Sequence, residues 1–153
     1  MLDRQRNNTP VVGIPRALLY HRYGMLWSEF FDELGVKTVL SPQSNREILE
    51  RGSAIAIDET CLSNKLYMGH VDALIGKCDA IFIPRYSNYG RREGFCSRFE
   101  GLYDQARNVF RDTPQRFLSC NVDVLHHHSE AQAFEDLGKA LGFSGREARR
   151  AYH

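Results

Sequence analysis

The feature that most constrains this chain is an alternation of short, nearly uninterrupted apolar runs with longer stretches of helical period. Val11-Val12-Gly13-Ile14, Val36 to Leu40, Ala54-Ile55-Ala56-Ile57, Asp79-Ala80-Ile81-Phe82-Ile83 and Arg116-Phe117-Leu118-Ser119 read as successive strands. Between and after them, apolar residues recur at helical spacing. They run from Arg16 to Leu34 through Leu18, Leu19, Leu26, Trp27, Phe30 and Phe31, and from Leu62 to Ile75 through Leu66, Met68, Val71 and Leu74. Phe99 to Phe110 and Phe134 to Leu141 repeat the pattern. Strands that alternate with helices form βαβ units, hence parallel pairing and right-handed crossovers. Strands without a polar face need cover on both sides. The expectation is an α/β chain: a three-layer Rossmann-like domain with a mostly parallel sheet of about five strands.

Turn residues mark the joints. Pro15 suits the first position of a helix and Gly35 its C-terminal cap. Ser41-Pro42-Gln43-Ser44-Asn45 is a turn, with Asn45 capping a short helix through Glu50, before Gly52. Asp58-Glu59-Thr60-Cys61 closes the third run, and Pro84 cuts off the fourth. Arg85 to Cys96 reads as a polar loop holding Gly90 and Gly94. Residues 1–10 are polar and are expected to form a flexible N-terminal segment, leaving 11–153 as a single α/β domain.

Composition excludes several functions. With 20 Lys+Arg against 19 Asp+Glu the formal charge is +1, so no whole-chain field attracts nucleic acid. A 42% hydrophobic share is too high for a disordered chain. No apolar stretch approaches the ~20 residues of a membrane span, and MLDRQRNNTP contains no signal-peptide core. The expected compartment is the cytoplasm, where thiols stay reduced, metal-bound or catalytic. Gly13-Ile14-Pro15-Arg16 stands where a dinucleotide fingerprint would need Gly-x-Gly-x-x-Gly. No P-loop and no Ser-His-Asp signature is present.

Four cysteines remain, with no CxxC pair among them. Open parallel sheets bind ligands beyond the carboxyl ends of their strands. Cys61 follows the third run, Cys96 ends the loop leaving the fourth, and Cys120 ends the fifth; Cys78 precedes the fourth and falls on the opposite edge. The plain alternative is that each is a small buried hydrophobe. Arg85, Arg91, Arg92 and Arg98 surround Cys96, and Lys65 follows Cys61. Positive charge favours thiolate and balances an anionic cluster, although a charged loop is more often a solvated surface. Arg16, in the first βα turn, is placed to meet an anionic group. Asp58 and Glu59 suit acid–base work or a turn. His21 and His70 suit structural roles. His126-His127-His128 reads as a solvated helix start, because consecutive helical residues point about 100° apart and cannot share one ion.

At this point the residues resemble a known family. Val11-Val12-Gly13-Ile14-Pro15-Arg16-Ala17-Leu18, Trp27 to Gly35 and Leu40-Ser41-Pro42 look like the opening of the acyl-CoA dehydratase activase-related proteins. These are linked to the 2-hydroxyacyl-CoA dehydratases and double-cubane-cluster proteins. The likeness runs on through Asp58-Glu59-Thr60-Cys61, Lys65, Gly69-His70, Cys78 to Arg85, and Phe95-Cys96, as an N-terminal domain. The resemblance implies a 4Fe–4S cluster held by thiolates at the edge of Rossmann-like domains. In the wider family the chemistry is low-potential electron transfer and loss of water from 2-hydroxyacyl-CoA. By position, Cys61 and Cys96 match the cluster cysteines, and Cys120 is a third candidate; Arg16 and Arg85 are candidates for cofactor or acyl-CoA contact. Ser63 and Ser97 replace prolines typical of the family. Members are usually longer, with a second similar domain, so a homologous domain or a second copy of the chain is the expected partner. If catalytic, the chain is one incomplete part of a dehydratase-like lyase or of its reductase or activase. The alternative is a non-catalytic, cofactor-free Rossmann-like interaction module.

Overall fold

A computed structural model describes residues 9–153. Most of the expected flexible segment, residues 1–10, therefore lies outside the described residues. Four parallel strands make the main sheet in the order β2-β1-β3-β5: β1 (Val12–Ile14), β2 (Thr38–Leu40), β3 (Ala80–Phe82) and β5 (Arg116–Leu118). Val12 stands between Thr38 and Ala80, and Ala80 pairs in turn with Arg116. Two further strands, β4 (Arg85–Asn88) and β6 (Asn121–Asp123), also pair in parallel. They prolong β3 and β5 beyond Pro84 and Cys120: the Ile83 N–H donates to Leu118 O at 2.8 Å and the Arg85 N–H to Cys120 O at 2.8 Å.

The helices are α1 (Tyr20–Glu33), α2 (Arg46–Ile55), α3 (Leu62–Leu74), α4 (Ser97–Glu100), α5 (Leu102–Val109), α6 (Glu130–Ala140) and α7 (Gly145–Tyr152). Strand residues alternate between the two faces of the sheet. Val12, Ile14, Ala80, Phe82 and Leu118 pack against Trp27, Phe30 and Phe31 of α1 and Phe134 and Leu137 of α6. Ile81 and Ile83 face the other way, onto Tyr67, Met68, Val71 and Leu74 of α3 and Leu102 and Ala106 of α5. The three-layer α/β expectation holds, with four strands in the sheet rather than five.

Ala54–Ile57 is the strand that does not form. Residues through Ile55 belong to α2, whose Asn45 cap accepts from the Ile48 N–H at 2.9 Å, as its sequence suggests. A four-residue apolar run fits a helix end as well as a strand. Here tertiary contact decides, because α2 packs backbone to backbone on α3. A Cβ on Gly52 would lie 1.7 Å from the Lys65 carbonyl oxygen, and one on Gly69 would lie 1.9 Å from that of Ile48. Only glycine permits that approach.

Other boundaries also shift. Pro15 does not open α1: the Arg16 N–H is taken by Ser41 Oγ at 2.8 Å, and the chain turns through Leu18 at φ 54° before the helix begins. The supposed loop from Arg85 holds β4 and then a hairpin, with Asn88 bridged to Gly94. The His126–His128 run is not a helix start. It spans the end of a 3-10 turn (Val124–His126), left-handed His127 (φ 64°) and a bridge from His128 to Asp123. Gly35 does close α1, at φ 69°.

Candidate functional site

Antiparallel α2 and α3 form a hairpin whose closed end, residues 56–61, carries Cys61. Cys61 is therefore not delivered by a strand. It is the N-cap of α3, and its side chain makes no capping bond. Nine residues along α3, about 13 Å at 1.5 Å per residue, His70 lies fully buried beside Ser41, just past the carboxyl end of β2. The hairpin therefore lifts Cys61 beyond the sheet edge.

Cys96 repeats the arrangement. It is the N-cap of α4, again with no side-chain cap bond. Ser, Thr, Asp or Asn normally holds that position, because a side-chain oxygen satisfies the first free N–H groups. Both thiols are exposed. Side-chain bonds tie the surroundings together: Arg98 Nη1 of α4 donates to Oγ1 of Thr60, the residue before Cys61, at 3.3 Å, and the amides of Asn64 on α3 and Gln105 on α5 exchange hydrogen bonds at 2.8 and 3.1 Å. Lys65 Nζ donates to the Asp58 carbonyl at 2.9 Å and closes the tip.

The other two cysteines differ. Cys120 is 1% exposed, sealed where β6 continues the line of β5. Burial and the Glu130 carboxylate push its thiol well up, so it stays protonated. Cys78 is half-buried on the opposite edge, where its Sγ–H points to Leu74 O at 3.6 Å and burial raises its pKa. No group of three or more His, Cys, Asp or Glu able to hold a metal exists among the described residues. Cys61, Cys96 and Cys120 are thus not assembled into one site by this chain.

The two arginines singled out in the sequence have different surroundings. Arg85 is engaged, with Nη2 2.5 Å from Asp104 Oδ2 and its guanidinium 5.6 Å from the centre of the Tyr103 ring. Arg16 makes no side-chain ion pair among the described residues, and its charge acts on His70. Between them, Ala17, Leu18, Trp27, Tyr67, Pro84 and Phe99 line an apolar slot of about 10 Å³. That is about the space of a single water, far below the roughly 300–1,000 Å³ of a ligand pocket, so it holds neither an acyl chain nor a coenzyme.

Sequence reasoning missed two polar clusters. Ser41 Oγ lies 2.7 Å from His70 Nδ1, and Ser44 Oγ 2.9 Å from its Nε2. Burial, with the nearby charges of Arg16 and His21, lowers the imidazole pKa to about 4. The second cluster surrounds Glu130, which accepts from Tyr86, Tyr89 and Tyr152. Burial pushes the Tyr152 phenol up to about 12 and those of Tyr86 and Tyr89 higher still. These groups lie far apart in sequence and share no spacing motif.

Residues 11–153 match the family model described as CoA enzyme activase uncharacterised domain (DUF2229), so the chain belongs to that family. This agrees with the activase-related resemblance of the sequence. No curated protein and no solved structure matches the chain. No helix among the described residues is long and apolar enough to cross a membrane.

Proposed function

We propose that this chain is a cluster-carrying module of a CoA-enzyme activase system related to acyl-CoA dehydration, with Cys61 and Cys96 as its thiolate ligands. The observation that carries this reading is the pair of exposed cysteines at helix N-caps without side-chain cap bonds, with Arg98 of α4 bonded to Thr60, the residue before Cys61. Cysteine ligates a cluster as the thiolate. Arg91, Arg92 and Arg98 place positive charge around Cys96.

Two thiolates are half of what a 4Fe–4S cluster normally takes. The fit is therefore partial, and the remaining ligands come from a homologous domain or a second copy. When bound, such a cluster supplies low-potential electron transfer. The chain's own part is to hold two thiols at a fixed edge. The slot beside Arg16 is too small for acyl-CoA alone, so a substrate site of that class also needs a second body. Cys120 and Cys78 have no part in the proposal.

Anaerobic reconstitution with iron and sulfide, followed by visible and EPR spectra, tests the reading. The expected cluster signal disappears in Cys61→Ala and in Cys96→Ala and survives in Cys78→Ala. Equal loss from Cys78→Ala, or no signal from the wild-type chain at any concentration, removes it. A silent wild-type chain would leave the second reading, a cofactor-free interaction module.

A further inference from the structure

The bonds around His70 fix where each of their protons lies. The ring is fully buried, with Ser41 Oγ 2.7 Å from Nδ1 and Ser44 Oγ 2.9 Å from Nε2. Its lowered pKa keeps it neutral at neutral pH, so it has one N–H and one lone pair. One serine therefore donates to it and the other accepts from it. Ser41 decides which. Its oxygen already accepts the Arg16 N–H at 2.8 Å, it is 1% exposed, and its hydroxyl has no acceptor but His70 among the described residues. A proton on Nδ1 would make Ser41 accept twice and strand its own buried proton, at the full cost of desolvating it. With Ser41 donating to Nδ1, every group is satisfied. The ring proton is then on Nε2 and goes to Ser44 Oγ.

The chain of donors thus runs one way, from the Arg16 N–H through Ser41 and His70 to Ser44, and each bond polarises the next. Ser44 is exposed, and its own proton has no acceptor among the described residues. It is not a nucleophile in waiting, because the imidazole lone pair is taken by Ser41. It is a strengthened donor facing outward. The charged groups that act on the ring, Arg16 and His21, are both basic. Arg16 is half-buried and has no ion-pair partner among the described residues. The acids of α2, Glu47 and Glu50, are taken by Arg51 and Arg46. Arg16 and Ser44 follow the carboxyl ends of the neighbouring strands β1 and β2, the edge where open parallel sheets bind ligands.

We propose that the Ser44 hydroxyl and the Arg16 guanidinium together bind an oxyanion, the carboxylate or phosphate group of a small ligand. Both groups offer protons, and the planar guanidinium can meet two oxygens at once. The ring that drives Ser44 lies about 13 Å along α3 from Cys61, and nothing in this binding calls on iron or on the exposed thiols.

Two measurements on the metal-free, reduced chain test it. Nitrogen-15 spectra of the His70 ring at neutral pH should find the proton on Nε2; a proton on Nδ1 overturns the relay. Titration with acetate and with inorganic phosphate, followed in amide spectra, should give saturable shifts at Arg16, Ser44 and His70 with at least one of them. Chloride at matched ionic strength should give none. Which oxyanion saturates tells whether the group recognised is a carboxylate or a phosphate. Ser44→Ala and Arg16→Gln, both outside the packed core, should each weaken binding by about tenfold, as expected for losing a hydrogen bond to a charged group. Shifts that chloride reproduces, no saturation with either oxyanion, or affinity unchanged in Ser44→Ala overturns the proposal. The cluster reading stands or falls separately, on the cysteine variants and iron uptake.

Discussion

The two ends of α3 obey different rules. Its second half, Tyr67 to Leu74, is nearly all buried: Gly69 touches the α2 backbone, His70 is bonded through both ring nitrogens, and Met68 and Val71 are fully covered. Its first turn, after Cys61, is exposed at Leu62 and Ser63 and lacks the capping bond that a stable start would use. One end is optimised for packing. The other gives up a cap worth about 1 kcal/mol and leaves a leucine and a thiol facing solvent. A helix start without those stabilising features is the part of α3 where packing does not explain the residues, and it is where the proposed ligand Cys61 lies.

The sharpest way to break the comparison is at the packed end. Gly69→Ala places a Cβ 1.9 Å from the Ile48 carbonyl oxygen, and backbone cannot rotate out of the way as a side chain can. The helices must separate along their whole contact. The expected loss is about 4 kcal/mol or more, in the range kept for severe core disruption, measured by urea denaturation. Gly35→Ala calibrates it. Nothing lies within 4 Å of that Cβ, and only its φ of 69° is unfavourable, so the cost is about 1–2 kcal/mol. Equal losses at the two glycines would mean that backbone conformation, and not the α2–α3 crossing, sets the effect.

The next effect belongs to pH. The His70 pKa falls from 6.5 unfolded to about 4 folded, with burial the largest cause and the charges of Arg16 and His21 adding to it. Between those values the unfolded chain binds the proton and the folded chain does not. Stability therefore rises with pH across that window and is lost as pH falls from 6.5 toward 4. Thermal melts at successive pH values should show the slope. His70→Gln, which removes the titrating group, should flatten it while lowering stability at neutral pH. An unchanged slope would place the titration elsewhere.

Much of the architecture was legible because its strands are apolar on both faces. Val12 to Ile14 and Ala80 to Phe82 have no exposed side and could only be central strands. What was not legible depended on contacts distant in sequence. Ala54–Ile57 has strand composition, but Gly52 and Gly69 let α2 lie on α3, and no local pattern encodes that pairing. β4 and β6 hold polar residues such as Arg85, Ser87, Asn121 and Asp123 and gave no apolar signal. Cys61 and Cys96 were placed at the carboxyl edge, and they are there, although a helical hairpin and not a strand carries Cys61. Cys120 follows β5 as read. What the residue order did not show is that β6 continues the line and seals the thiol.

The smallest expected effect lies at the exposed end of α3. Leu62→Ser removes a side chain that is 65% exposed, and Cys61→Ser replaces a thiol that caps nothing. Surface changes away from caps and packing stay within about 0.5 kcal/mol. Serine is also a preferred N-cap, so Cys61→Ser should hold or slightly raise stability. Cys120→Ala, in contrast, empties volume in a packed core and should cost about 1–2 kcal/mol, the range for losing a small buried side chain. Denaturation curves of the three variants therefore order the cysteines by structural role, with Cys120→Ala below wild type and Cys61→Ser at or above it. A drop of more than about 1 kcal/mol in Cys61→Ser would show that the thiol stabilises the fold it sits on, and the functional assignment of that end of α3 would lose its ground. No such drop is expected.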